Sequence, residues 1–154
     1  MTVYYVDTSA LMKRYLREAG SQWMDQLLAR AATEAFFSTS LVSVELIAAV
    51  SRAHREKRIS QKRRDALAVQ IAQEWRLFLM PSAVTNQVIT IANQLALVHP
   101  LRAYDAIHLA SALLVRGDSL AQGFEAPIFL SADTALLIAA KREGFITDNP
   151  NDHA

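Results

Sequence analysis

Four acidic side chains stand where an unpaired charge is costly. Asp7 ends the apolar run Val3-Tyr4-Tyr5-Val6. Glu45 interrupts the run from Leu41 to Val50. Asp105 opens the stretch Asp105-Ala106-Ile107-His108-Leu109-Ala110, and Asp133 follows Pro127-Ile128-Phe129-Leu130-Ser131-Ala132. Each lies at or beside the edge of an element expected to be buried. Two carboxylates about 5 Å apart repel by roughly 3 kcal/mol at an effective dielectric of about 20. A gathering of such groups must take up protons or be neutralised by a cation. The chain has no cysteine, and an all-oxygen donor set favours magnesium or manganese over zinc. Such an ion lowers the pKa of bound water and stabilises charge on phosphate oxygens. The chemistry that fits these residues best is phosphodiester hydrolysis.

Each acid also has a local explanation. Asp7 and Asp133 can cap the helices expected to begin at Thr8 and Thr134. Asp105 can complement the positive end of its own helix. Glu45 can lie on an exposed helix edge, although Leu41, Ala48 and Ala49 share its face. Capping and metal binding are not exclusive. His108, three residues after Asp105, reads most simply as a packed or surface histidine, with a ligand or proton donor as the alternative. No Gly-x-Ser-x-Gly elbow supports a serine nucleophile. With only four glycines, the chain has no phosphate-cradling loop or dinucleotide fingerprint.

These acids must be positioned by alternating strands and helices. Val3 to Val6 is expected as a buried strand, Thr8 to Glu18 and Gln22 to Ala32 as helices, and Ala35 to Ser38 as a strand. Ser40 can cap a helix from Leu41 to about Lys57. Gln61 to Leu77 is a further helix, Phe78 to Met80 a strand, and Val84 to Leu97 a helix. Ala103 to Arg116 is a helix with Gly117 at its stop. Ile128 to Leu130 is a strand, Thr134 to Glu143 a helix stopped by Gly144, and Phe145 to Thr147 a last strand. Strands separated by helices imply a parallel sheet, hence a three-layer α/β/α sandwich. Such sheets bind ligands at the carboxyl ends of their strands, an edge that all four acids can face. Residues 1–148 are expected to form one domain, with 149–154 as a polar tail.

Taken together, four segments resemble the PIN-domain ribonucleases, and within them the VapC-type toxins of toxin–antitoxin pairs. They are Tyr5-Val6-Asp7-Thr8-Ser9-Ala10-Leu11, Ser43-Val44-Glu45-Leu46, Leu101-Arg102-Ala103-Tyr104-Asp105-Ala106-Ile107-His108-Leu109-Ala110, and Phe129-Leu130-Ser131-Ala132-Asp133. The resemblance implies a parallel sheet flanked by helices and an acidic pocket holding Mg2+ or Mn2+. Asp7, Glu45 and Asp105 match the family's core acids, and Asp133 the more variable fourth. Ser9 matches a hydroxyl supporting the pocket. The implied activity is cleavage of RNA, and the implied partners are an inhibitory antitoxin and a second copy of the chain.

Two readings from other classes stay open. An aspartyl-phosphate receiver or phosphatase would use Asp7 as acceptor, but the phosphatases carry a second Asp where Ser9 stands. A silent PIN-like binding module would have no reason to keep four costly charges. The net charge of +1 gives no global case for nucleic acid. Locally, Lys13, Arg14, Arg17 and Arg102 lie near the acids in sequence and are expected to draw RNA. The segments Arg52 to Arg58 and Lys62 to Arg64 are also basic. No apolar run is long enough to span a membrane, and the start, Met1 to Asp7, lacks a signal-peptide pattern. A cytoplasmic location is expected. Ile47, Val50, Leu67, Ile71, Trp75 and Phe78 are expected to form an apolar face for a homodimer or antitoxin.

Overall fold

The computed structural model describes residues 1–153. The chain alternates as expected: β1 (Val3–Val6), α1 (Thr8–Leu11) running into a 3-10 turn (Met12–Arg14), α2 (Ser21–Leu28), β2 (Ala35–Thr39), α3 (Val42–Arg55), α4 (Gln61–Phe78) and β3 (Met80–Ser82). Then come α5 (Asn86–Val98), α6 (Ala103–Ala121), β4 (Ile128–Leu130), α7 (Thr134–Arg142), β5 (Thr147–Asp148) and a 3-10 turn (Pro150–His153). The five strands form one sheet in the order β3-β2-β1-β4-β5. Every pairing is parallel, with Tyr4 opposite both Phe36 and Ile128.

Strand side chains alternate between two cores, because successive residues of a strand point to opposite faces. Tyr4, Val6, Phe36 and Leu130 pack with Leu11, Leu28, Leu46 and Trp75 beneath α1 to α4. Tyr5 and Phe129 pack with Val88, Leu95, Leu109, Leu136 and Phe145 beneath α5 to α7. This is the three-layer α/β/α sandwich. Among the described residues no helix is long and apolar enough to cross a membrane.

Several boundaries differ from expectation. Gly117 does not stop α6, which runs on to Ala121. The stop falls at Gly123, where φ is +81°. A glycine inside a helix costs only about 1 kcal/mol relative to alanine, less than the packing of α6 against α5 supplies. Ser40 caps nothing: α3 starts at Val42, and Thr39 Oγ1 accepts from the Leu41 N–H instead. The strands expected at Phe78–Met80 and Phe145–Thr147 begin two residues later.

The expected apolar docking face is interior. Val50, Leu67 and Ile71 are fully buried and Trp75 nearly so. They join α3 and α4 to the first core, with Ile47 and Phe78 packed against them. The segment expected as a tail is docked on the domain as far as residue 153. His153 stacks on Trp23 with ring centroids 4.0 Å apart, and Asn151 Oδ1 accepts from Lys13 Nζ at 2.6 Å.

Candidate active site

From β1 the chain winds outward through β2 to β3, then returns to β4 on the other side of β1. The carboxyl ends of β1 and β4 therefore flank a topological switch point, where open α/β sheets bind ligands. Asp7 follows β1, and Asp133 lies three residues beyond β4. Glu45 is in the first turn of α3 and Asp105 in the first turn of α6. All four line a single cavity of about 550 Å³, together with Thr8, Ser9, Arg52, Arg102 and Tyr104. A cavity of about 400 Å³ at the opposite edge, walled by Val3, Ala35, Met80 and Phe124, has Asp118 as its only carboxylate. No comparable chemistry converges there.

Local structure fixes each acid. Asp7 does cap α1, accepting from the Ala10 N–H at 3.2 Å. Ser9 Oγ lies 2.9 and 3.1 Å from the two Asp7 oxygens and donates to that carboxylate. Ser9 Oγ also accepts from the Ala132 N–H at 2.8 Å, tying the loop after β4 to the end of β1. Ser131 Oγ accepts from the Asp133 N–H, and Asp133 Oδ1 caps α7 through the Leu136 N–H. Asp7 is only 4% exposed. Burial pushes its carboxyl up to about 6, against the pull of His108 and of the Ser9 and Ala10 hydrogen bonds. Burial also raises Asp105, opposed by Arg102 and helped by the charge of Asp133.

His108 is buried beneath the cavity floor. Its Nε2 lies 2.8 Å from Glu45 Oε1 and 3.2 Å from Thr8 Oγ1, and its Nδ1 lies 3.2 Å from the Tyr5 hydroxyl. Burial works against the imidazolium, but the hydrogen bond and charge of Glu45, together with the charges of Asp7 and Asp105, outweigh it and raise His108 above its ordinary value. The histidine is thus packed, as the simpler sequence reading has it, yet it also orients Glu45. Tyr5 and Thr8 complete its setting. Only the adjacency of His108 to Asp105 signalled this in the sequence.

The cations fall out differently. Arg102 stands at the cavity mouth, with Nε 3.3 Å from Asp105 Oδ2 and Nη2 3.6 Å from Asp133 Oδ2. Lys13, Arg14 and Arg17 are not free at the cavity. Lys13 is 2% exposed, its ammonium donating to Asn151, the Ala19 carbonyl and Glu18. Arg14 is bidentate on Glu74 and also meets Asp25, and Arg17 pairs with Asp25. Arg52, from the basic segment outside the motifs, lines the cavity instead. Its signal was its place seven residues after Glu45, on the same helix face.

The donor set suits a hard divalent cation. Among the described residues no three His, Asp or Glu side chains close into a ready-made ligand set, so the expected tight convergence of all four acids is not preassembled. Arg102 braces Asp105 and Asp133, and His108 engages Glu45. Magnesium does not need a closed set, since it is commonly held by one or two carboxylates and keeps several waters. The charged carboxylates around one cavity also need a counter-charge.

The family model for the PIN domain matches residues 4–142. The chain belongs to the PIN-domain family. PIN domains are in general nucleases. Among solved structures, the chain is similar in fold to FitAcB from Neisseria gonorrhoeae, at 15% identity and a TM-score of 0.64, covering 97% of this chain and 98% of that one. It is also similar to VapBC2 from Rickettsia felis bound to a DNA fragment from their promoter, at 14% identity and a TM-score of 0.60, covering 96% and 98%. No curated protein matches the chain significantly.

Proposed function

We propose that this PIN domain is a divalent-metal-dependent endoribonuclease, the toxin of a toxin–antitoxin pair. The observation that carries the nuclease reading is the cavity at the switch point, walled by Asp7, Glu45, Asp105 and Asp133 from four separate elements. Asp7 and Asp105 would hold Mg2+ or Mn2+ directly, and Glu45 and Asp133 would bind through water or orient the attacking water. The ion would supply charge neutralisation and an acidified water. Ser9 holds the Asp7 carboxylate in place, and His108 holds Glu45. Arg102, at 83% exposure, is free to leave the carboxylates and meet a phosphate as the strand enters. The aspartyl-phosphate alternative is disfavoured by Ser9 at the second position and by the burial of Asp7.

The choice of RNA, the antitoxin and the homodimer rest on the resemblance of the four motifs. An antitoxin could inhibit by placing an arginine among the acids. Exposed Tyr104, beside Asp105 on the cavity wall, offers apolar contact there. The test is incubation of the purified protein with single-stranded RNA and DNA, in Mg2+ or Mn2+ and in excess chelator. Internal cuts in RNA that need the metal are expected. No cleavage of either polymer, or cleavage that persists in chelator, would overturn the reading.

A further inference from the structure

A second hollow, of about 360 Å³, adjoins the acid cavity and shares Ser9, Met12, Ala49 and Arg52 with it. Its remaining wall includes Lys13, Glu18, Arg58 and Asn151. The two spaces differ in charge balance: the first has four carboxylates against two cationic side chains, the second three cationic side chains against one carboxylate. The shared wall is one face of α3. Glu45, Ala48, Ala49 and Arg52 follow each other at helical spacing, so Arg52 sits about 10 Å along the axis from Glu45. Between them stand only alanines, which leave the wall open.

We propose that this hollow is a subsite for the RNA strand beside the cut, where Arg52 and Arg58 take a backbone phosphate. Arg52 is exposed and has no carboxylate within ion-pair distance among the described residues. Among the described residues the Arg58 side chain meets only Glu56, at 3.0 Å, with both side chains about half exposed. Such surface pairs contribute little and exchange readily for a phosphate. Lys13 adds positive potential from below without reaching the strand, because its ammonium is buried and spoken for. A polyanion whose scissile phosphate lies at the acids meets Arg102 at the cavity mouth and, where the cavity opens past Ala49, Arg52 and Arg58, and that second opening is this hollow. The subsite rests on the nuclease reading above.

The test is fluorescence anisotropy of a labelled single-stranded oligoribonucleotide in chelator, across a salt series, with Arg52→Gln, Arg58→Gln and, as control, Arg142→Gln at the far end of α7. The two hollow variants should each weaken binding about tenfold and lower the slope of log affinity against log salt by about 0.7. Arg142→Gln should do neither. Unchanged thermal melts would show that the exposed substitutions leave the fold intact. Wild-type affinity and slope in both hollow variants would overturn the subsite while the nuclease reading stands. Equal losses from Arg142→Gln would reduce the effect to general charge and overturn it too. Normal RNA binding with lost binding of polyglutamate would assign the hollow to an acidic protein partner instead. A wild-type protein that neither binds nor cuts RNA would remove the nuclease reading and the subsite with it.

Discussion

Asp7 concentrates the electrostatic cost of this site in one carboxylate. Its native pKa of about 6 lies above the ordinary 3.8, so between those values the folded chain binds more protons than the unfolded one. Stability must then fall as pH rises from about 4 to 6 and stay low above. The shift corresponds to a penalty on the order of 3 kcal/mol at pH 8 in metal-free buffer. Asp7→Asn keeps the acceptor for the Ala10 N–H and removes the charge. It should therefore melt higher than wild type at pH 8 in chelator, with the gap closing toward pH 4. Melting curves at the two pH values check this, and a gap that does not change with pH would contradict the burial account. His108 acts in the same direction at higher pH. Its raised pKa gives stability that is complete below about 6.5 and lost as pH climbs through its higher folded value. His108→Gln should cost about 1–3 kcal/mol, since it strips the buried partner from Glu45. Denaturant unfolding measures the loss, and a wild-type midpoint would show that Glu45 needs no such support.

Two glycines separate what a helix tolerates from what a close approach forbids. At Gly20 φ is +81°, and a Cβ there would overlap the Pro150 carbonyl of the docked terminal turn. Gly20→Ala should destabilise by about 2 kcal/mol or more. Gly117 lies inside α6, and a methyl group added there would meet nothing within 4 Å, so Gly117→Ala should stabilise by about 1 kcal/mol. Thermal melts of the pair should move in opposite directions, and movement in the same direction would refute the contrast. The same residues show what the sequence could convey. Strand and helix identities followed from apolar periodicity, and the acids were legible because each stands where an element starts or ends. Helix ends were less so, because packing against α5 carries α6 past Gly117. The fate of the basic residues was not legible: Arg14 finds Glu74 across 60 residues of chain and Lys13 finds Asn151 across 138. Nor did periodicity say that the shared face of α3 and α4 turns toward the sheet rather than outward.

At the scale of the molecule, the strand order makes the site. Because the chain leaves β1 in one direction and returns to β4 in the other, the ends of those two strands are left uncovered between helices α3 and α6. Four acids from distant parts of the sequence meet there, and a cationic hollow adjoins them along α3. The acids sit at helix starts anchored in the two cores, so loss of one carboxylate should leave the fold in place. Metal-dependent cleavage at the four acids is tested most directly by the single-turnover rate of RNA cleavage by wild type and Asp105→Asn across a Mn2+ titration, with circular dichroism on both proteins. The wild-type rate should rise to saturation with Mn2+. The rate of Asp105→Asn should be at least about 100-fold lower, with the spectrum unchanged. A rate that ignores Mn2+, or an Asp105→Asn protein as fast as wild type, would contradict metal-dependent cleavage at these acids.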